Sequence, residues 1–562
     1  MAQPYVIIPS QGSSQADEWI RLGVEAQTTG KFSDAERHYR QALRLEPHHA
    51  IATQNFAVLY AQVNNPNEAL LTIERASMFD GSHGVIYTNW AFMALEAERI
   101  DVALQAARKG VEVSPAPECK LALAMVLAAA GLPEEAIPLY NEILKVQPQH
   151  PAAGPNSCFV MTLTPATPET MLAQRKKWYE ANRLHGAPVI HSNDKSLTRP
   201  LRVGYVGGDF KRHSAAMIFG AVVLHHDQAQ VETYLYSTLP VDPAADTVTK
   251  SFMDVAGANW RDVVGKNPAQ AGELVRQDKI DILVDLAAHT NGGMLTLFTG
   301  KPAPIQVTAW GFAHGTGLPE IDYFFADPVA IPPEERVHYA ETIWDLPCIV
   351  TYEPPVDYQL KGTSALPYFK NEYITFGSYA RYEKLSNAYL AVCREILLKV
   401  PDARLEFKDH AFRRPYSIRR VRDAMPDIAP ERLLFSIGTT HQEHLLAYQQ
   451  ADLILDPFPH TGGVVCLEQL YMGVPMVTLY GTQPAGRTTS SVLTVMGKKD
   501  WIAHSHEEYI EIAVRLSQET KQLNQCRKTL REDFLTSPVV RGYREAVERV
   551  YLEMWAIWAE RR

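Results

Sequence analysis

No apolar run in this chain approaches the ~18 residues that a bilayer-spanning helix requires, so a membrane-embedded helix is not expected. Polybasic tails and long blocks of like charge are also missing. With 54 Lys and Arg against 64 Asp and Glu, the formal net charge is −10. Bulk electrostatics therefore favours neither nucleic acid nor an anionic membrane surface as a partner. Cysteine is sparse and scattered, at Cys119, Cys158, Cys348, Cys393, Cys466 and Cys526. No Cys-x-x-Cys spacing occurs, so neither a disulfide framework nor a cysteine metal site is expected. The stretch from Met1 to Pro9 has no basic residue before its short apolar segment and does not read as a secretory leader. These absences point to a cytoplasmic protein.

What is present is a soluble globular composition, 46% hydrophobic and 21% charged over 562 residues. That length suggests roughly three to four units of ordinary domain size. After a short extension (1–15), a period stands out. Ala35, Ala69, Ala103 and Ala136 recur at spacings of 34, 34 and 33. Large apolar residues (Leu22, Phe56, Trp90, Leu123) hold the same register, each followed by a small one (Gly23, Ala57, Ala91, Ala124). Pro47, Pro115 and Pro148 end three units, with Gly81 in the corresponding place of the second. A period near 34 with these anchors resembles the tetratricopeptide repeat, two amphipathic helices per unit. Four units are expected over 16–150. Stacked helix pairs form a concave surface, and such surfaces bind extended peptides.

Residues 151–200, with Pro-Ala-Ala-Gly-Pro-Asn and Thr-Pro-Ala-Thr-Pro, read as a linker followed by one docking helix around Met171–Leu184. From Leu201 the pattern becomes strands alternating with helices. Strands are expected from Leu201 into the Gly207-Gly208 turn, and at Val231–Ser237, Ile280–Leu286 and Ile305–Trp310. A connector at 353–370 leads to a second series: strands from Tyr373, Ala403, Leu433, Asp452 and Met476, helices at Lys384–Val400 and Gln442–Gln450, and a terminal helix at Tyr543–Glu560. Alternation of this kind implies parallel sheets covered on both faces. The expected fold is thus an α-helical tetratricopeptide superhelix followed by two Rossmann-like α/β domains, 201–355 and 371–562, in a GT-B arrangement. A ligand crevice would lie at the carboxyl ends of the strands.

Three segments carry more than fold: Asp209-Phe-Lys-Arg-His213; Lys301-Pro-Ala-Pro-Ile-Gln306 leading to Trp310 and Gly315-Thr316-Gly; and Leu455-Asp-Pro-Phe-Pro-His-Thr-Gly-Gly463 leading to Glu468 and Met472-Gly-Val-Pro-Met-Val-Thr478. Together with the repeats they resemble the O-linked N-acetylglucosamine transferases and their protein O-fucosyltransferase relatives. That resemblance implies an inverting, metal-independent enzyme moving N-acetylglucosamine from UDP-N-acetylglucosamine to Ser or Thr hydroxyls. It implies no cofactor beyond the donor, and a protein or peptide acceptor recruited through the repeat groove. Consistent with this, the chain has no Asp-x-Asp pair to hold a metal on a diphosphate. A lysine and a helix N-terminus are the remaining candidates for the leaving group.

By the resemblance, Lys384 contacts the diphosphate, and Arg381 stands where some members carry Gln and adds a second donor. His460, Thr461, Gly462, Gly463 and Val464 form a turn opening a helix, whose amides face phosphate. Relatives often have His-Thr-Thr where Gly463-Val464-Val465 stand here, so only backbone contacts are implied. Glu468 matches an acid that binds ribose hydroxyls. His441 and His444 share a helix face and fall where the nucleobase is contacted; they could also be an idle or zinc-binding pair, though no third ligand is near in sequence. Gly315 and Thr316 join the donor site. His213 and His289 are the catalytic-site histidines, as base or as positioning groups, and Asp278, Asp281 and Asp285 could hold them or serve as strand-edge and helix-cap carboxylates. The pair His289-Thr290 is closer to the O-fucosyl branch, which keeps a GDP-sugar donor open. The changed 463–465 segment and Thr482 keep open a scaffold that binds nucleotide without turnover.

Overall fold

The computed structural model describes residues 5–186, 189–355, 364–438 and 440–560. Residues 1–4 of the expected extension, 187 and 188 of the linker, 356–363 of the connector, and Thr439 lie outside the described residues. The chain divides into two compact units, Met1–Ala153 with Ala411–Arg420, and Gly154–His410 with Val421–Arg562.

The first unit is the repeat array. Its helices are α1 (Gln15–Thr28), α2 (Phe32–Leu45), α3 (Ala50–Gln62), α4 (Pro66–Phe79), α5 (Gly84–Glu96), α6 (Ile100–Val113), α7 (Pro117–Ala129) and α8 (Pro133–Val146). The four marker alanines are fully buried where paired helices touch. Gly23 is small for the same reason: a Cβ there would stand 2.5 Å from the Tyr39 ring. Starts and stops follow local chemistry. Ser14 and Asp17 form a capping box on α1, Asn65 caps α4, and prolines open α4, α7 and α8. Pro47, Pro115 and Pro148 each fall two residues past a helix end, where no further helical N–H is needed. Residues 411–420 pack with this unit, Arg420 Nη2 donating to the Gly131 carbonyl at 3.2 Å.

In the second unit the expected linker contains two helices. α9 (Ala153–Met161) begins within the Pro-Ala-Ala-Gly-Pro stretch, because a proline in the first turn removes only an N–H that has no intrahelical acceptor. α10 (Pro168–Asn182) is the docking helix, capped by Thr167.

Two fully parallel sheets follow. The first joins β1 (Leu201–Gly207), β2 (Val231–Ser237), β3 (Trp260–Asp262), β4 (Ile282–Asp285), β5 (Ile305–Thr308), β6 (Tyr323–Ala326) and β7 (Thr342–Asp345) in the order 3-2-1-4-5-6-7. The second joins β8 (Thr375–Ser378), β9 (Arg404–Lys408), β10 (Leu433–Ser436), β11 (Leu453–Leu455), β12 (Met476–Leu479) and β13 (Ile502–Ala503) in the order 10-9-8-11-12-13. The strand order reverses between β1 and β4 in one sheet and between β8 and β11 in the other. At such switch points the strand-to-helix loops diverge and leave a crevice.

The terminal helix Tyr543–Glu560 does not close the second sheet, as the 371–562 boundary supposed, but crosses to the first. Tyr543 accepts from Trp310 Nε1 at 3.0 Å and donates to the Cys348 carbonyl at 2.9 Å. Glu548 receives His226 Nδ1 at 3.0 Å and the Asp227 amide at 2.8 Å, while His226 Nε2 meets Tyr205 at 2.6 Å on the central strand. Glu548 and His226 are almost wholly buried. Removing the carboxylate strands both donors in a dry site. Glu548→Ala is expected to cost about 3 kcal/mol and to lower the first thermal transition by several degrees, whereas Glu112→Ala, in an exposed pair with Lys109, leaves it unchanged in the same calorimetric scan.

Candidate active site

The loops leaving both switch points carry the residues singled out above. After β8 the chain makes a tight turn, Tyr382–Lys384, and Ser386 caps the next helix, Asn387–Lys399. Lys384 therefore lies before the helix, not at its first residue as expected, because the Ser386 hydroxyl takes the Tyr389 amide and fixes the start there. This places the Lys384 side chain across the switch point. Its Nζ donates to the Thr461 carbonyl at 2.5 Å, on the loop after β11.

That loop is held from behind. Asp456, at the end of β11, accepts the Gly462 amide and the Thr478 hydroxyl, each at 2.8 Å. Thr461 turns inward, its hydroxyl on the Ala485 carbonyl at 2.8 Å. Gly463 has φ near +60°, a conformation suited to glycine, and leads directly into the helix Val464–Tyr471. The first amides of that helix, Val464 and Val465, have no intrahelical acceptor by position. With the Lys384 ammonium they bring free donors and a positive helix end to one corner of the site.

Lys384 is buried, and burial together with the nearby Arg381 guanidinium pulls its ammonium down to about 7, against partial support from Asp456. Arg381 itself is exposed and lies over the Phe159 ring at 5.7 Å. His460 bonds through Nδ1 to Thr162 of the loop after α9 at 3.0 Å. Burial, then Lys384, Arg381 and His314, hold its imidazole well below the ordinary range. That His314 is near enough to act on His460 shows that a loop of the first sheet approaches one of the second.

On the first sheet, His289 sits after β4 with its ring edge-on to Trp178 at 5.0 Å; among the described residues neither ring nitrogen makes a well-formed hydrogen bond, and the Thr316 backbone lies within reach. Burial and the Arg175 guanidinium push it down to about 3. At neutral pH it is an uncharged hydrogen-bonding group, too weak a base to hold a proton. His314 is likewise buried with Nε2 unpartnered, and burial, Arg175 and Arg487 keep it neutral. His213, after β1, is half-exposed. The Ala215 amide approaches its Nδ1 at 3.2 Å, and the Asp209 carboxylate lies 3.5 Å from the same nitrogen.

The three carboxylates do not hold these histidines. Asp278 pairs with Arg261 and Tyr236, and Asp281 with Arg199 and Asn193. Asp285 accepts the Ala287 and Ala288 amides and the Thr308 hydroxyl, so it shapes the loop before His289 without touching the ring. Gly315 and Thr316 also face inward. Thr316 gives both its amide and its hydroxyl to Glu341 at 2.5 Å, and the Gly315 carbonyl accepts Arg175 Nη1 at 2.6 Å. Their effect is to hold the loop of His314 and the buried Arg175. Arg487, the other cation of this region, is locked in a two-pronged pair with Glu335, 2.7 Å on each arm.

A second cluster lies on the helix His441–Tyr448. Tyr448 donates to Glu468 at 2.8 Å, so His444, whose Nε2 meets the same hydroxyl at 2.7 Å, must donate to it. His441 Nε2 donates to the other Glu468 oxygen at 2.7 Å. Both histidines thus use Nε2 on oxygen. A carboxylate offers about four acceptor positions, so Glu468 keeps capacity for two more hydroxyls.

Arg175, His314, Asp456 and Tyr448 were not marked by the sequence. Arg175 stands in Gln174-Arg-Lys-Lys177 on α10, where only its helix phase separates it from the solvated lysines beside it.

Two successive parallel sheets, each with its strand order reversing beside the first strand of its series, define a GT-B architecture. The chain belongs to glycosyl transferase family 41, whose model matches residues 161–350 and 359–546; tetratricopeptide-repeat models match 27–83 and 93–154. It is similar to the probable UDP-N-acetylglucosamine–peptide N-acetylglucosaminyltransferase SPINDLY of Arabidopsis thaliana, 32% identical over 422 residues, which are 73% of this chain and 46% of that protein. Similarity to the Arabidopsis relative SEC is 29% over 369 residues, 63% of this chain and 37% of that one. The chain thus spans about half the length, or less, of these curated relatives. A solved structure of a mutant O-GlcNAc transferase from Thermobaculum terrenum matches with a TM-score of 0.77 at 26% identity, covering 98% of this chain and 99% of that one.

The resemblance set out above implies a phosphate end at Lys384 and a nucleoside end at Glu468. Glu468→Gln is expected to weaken UDP binding about tenfold, the scale of one charge-assisted hydrogen bond, and to leave inorganic pyrophosphate binding unchanged. Calorimetry with both ligands checks it; equal losses for the two would remove the assignment of Glu468 to the nucleoside.

Proposed function

We propose that the chain is a protein O-GlcNAc transferase, moving N-acetylglucosamine from UDP-N-acetylglucosamine to Ser or Thr hydroxyls with inversion and without a metal. The observation that carries this is Lys384: a buried ammonium joined to a single neutral carbonyl, beside a helix N-terminus, at a switch point. Such a site lacks only an anion. Membership in the glycosyl transferase family and the names of the similar proteins support the sugar-nucleotide assignment.

The acceptor oxygen attacks the anomeric carbon from the face opposite the diphosphate. The carbon–oxygen bond to phosphate breaks, and the electron pair leaves with the diphosphate. Lys384, Arg381 and the amides of Val464 and Val465 meet the developing charge. Because they are in place beforehand, little reorganisation is required as the bond breaks. Glu468, His441 and His444 hold ribose and base. His213, with His289 and His314 as neutral rings, orients sugar and acceptor oxygens. The acceptor's proton passes to solvent or to the departing phosphate late in the reaction. Among the described residues no helix is long and apolar enough to cross a membrane, and the six cysteines are unpaired, which supports a reducing cytoplasm as the setting.

The test is turnover of labelled UDP-N-acetylglucosamine with a peptide mixture, read by mass spectrometry with and without EDTA. Wild type is expected to transfer sugar in both conditions. Lys384→Ala should lower kcat by at least ~10²-fold and UDP affinity far less, and Lys384→Arg should rescue poorly because a planar fork does not fit where a compact ammonium sits. A raised KM at unchanged kcat would make Lys384 a binding residue only. A larger thermal shift with GDP than with UDP would replace the donor by a GDP-sugar, and UDP binding without transfer would reduce the protein to a nucleotide-binding scaffold.

A further inference from the structure

The repeat array is not empty. Residues 5–9 lie along it in an extended conformation, and two asparagines one repeat apart hold their backbone. Asn89, on α5, takes both polar groups of Val6: the Val6 amide donates to Oδ1 at 2.9 Å, and Nδ2 donates to the Val6 carbonyl at 2.7 Å. Asn55, on α3, does the same for Ile8, at 2.9 Å and 2.7 Å. Both asparagines are completely buried beneath the segment. Gln54 joins them, donating to Asn55 Oδ1 and accepting from Asn89 Nδ2, each at 2.6 Å, with its own Nε2 also reaching the Val6 carbonyl at 3.3 Å.

This is a rail for an extended peptide. An extended backbone turns the same N–H and C=O pair to one side every second residue, and residues 6 and 8 are two apart. A side-chain amide that bonds both groups of one residue acts as one rung of a β-ladder. The contacts are to main chain, so the rail is tolerant of sequence. Asparagine occupies this register in the second and third repeats, directly before Phe56 and Trp90. The segment runs from the third repeat, where Tyr5 bonds to Glu96, to the first, where Arg21 donates to the Gly12 carbonyl at 3.0 Å.

We propose that residues 5–9 are a tethered occupant of a peptide-binding rail formed by Asn55, Asn89 and Gln54, and must leave before an extended segment of another protein can bind there. The tether to α1 is only residues 10–14, which keeps the occupant at an effective concentration on the order of millimolar. Exogenous peptide therefore binds the full chain with an affinity reduced by the fraction of rails that stand open. That the incoming peptide is a sugar acceptor rests on the transferase reading; the self-occupation does not.

The probe is a fluorescent peptide of the chain's own sequence from Pro4 to Gln11. It is expected to bind a variant lacking residues 1–9 at least about tenfold more tightly than the full chain, and to lose that binding in the same variant carrying Asn55→Ala and Asn89→Ala. Equal affinity for the two chain lengths, or no binding to a shortened chain of unchanged helical circular dichroism, would overturn the proposal. Should the shortened chain aggregate, hydrogen exchange on the full chain decides: the Val6 and Ile8 amides are expected to be protected and to lose at least about tenfold of that protection in Asn89→Ala. Exchange of both at the free-peptide rate in the wild type would also overturn it. Tight peptide binding by the shortened chain with no sugar transfer from either form would count against the transferase reading and uphold the rail.

Discussion

Everything in the crevice is arranged around one contact, the Lys384 ammonium on the Thr461 carbonyl. A buried cation with a neutral acceptor is costly, and the fold holds it there by covalent and hydrogen-bonded constraint on both sides. Ser386 stops the lysine from joining the following helix. Asp456 clamps the partner loop through Gly462 and Thr478. The two loops leave adjacent strands at a reversal of strand order, so their approach is imposed by topology and does not depend on either side chain.

The same constraint explains the histidines. Burial first, and then the cations Arg175, Arg381, Lys384 and Arg487, depress the imidazoles around them. Charging His289, His314 or His460 would add a like charge to a dry site. They stay neutral, and a neutral ring offers one donor and one acceptor. Arg487 itself is paired with Glu335. The halves of the second unit are further tied by the terminal helix, whose Glu548 reaches back to the central strand of the first sheet through His226 and Tyr205.

The repeats and the central strands were legible because their signals are local. Period and small-residue register define the helix pairs, and β1, β2, β4, β8 and β11 are apolar runs ending in turn residues. Short strands escaped: β3, β6, β7 and β13 are two to four residues long, too few for an alternation to show. In the site, the residues that stand in motifs, Lys384, His460 and Glu468 among them, could be picked out as candidates, and the structure shows what surrounds each. Arg175 and His314 could not, since their setting comes from burial and from which groups face them. Thr316 also stands in a local motif, but its hydroxyl is taken by Glu341, twenty-five residues on. The rail could not be read from the 1–15 segment alone, because Asn55 and Asn89 are ordinary polar residues until an extended chain lies across them.

The most direct test of the central contact is the proton count on binding UDP. Unliganded Lys384 is held down to about 7, and a diphosphate beside it restores the charged form. Below pH 6 the ammonium is already present and binding takes up no proton. At pH 8 most free sites are neutral, so binding takes up close to one proton, and affinity falls as pH rises from 7 to 9. Calorimetry of UDP at pH 8 in buffers of different ionisation enthalpy reads this directly. The account predicts an uptake near one proton that disappears in Lys384→Met; no uptake in the wild type, with affinity unchanged across that range, would contradict it.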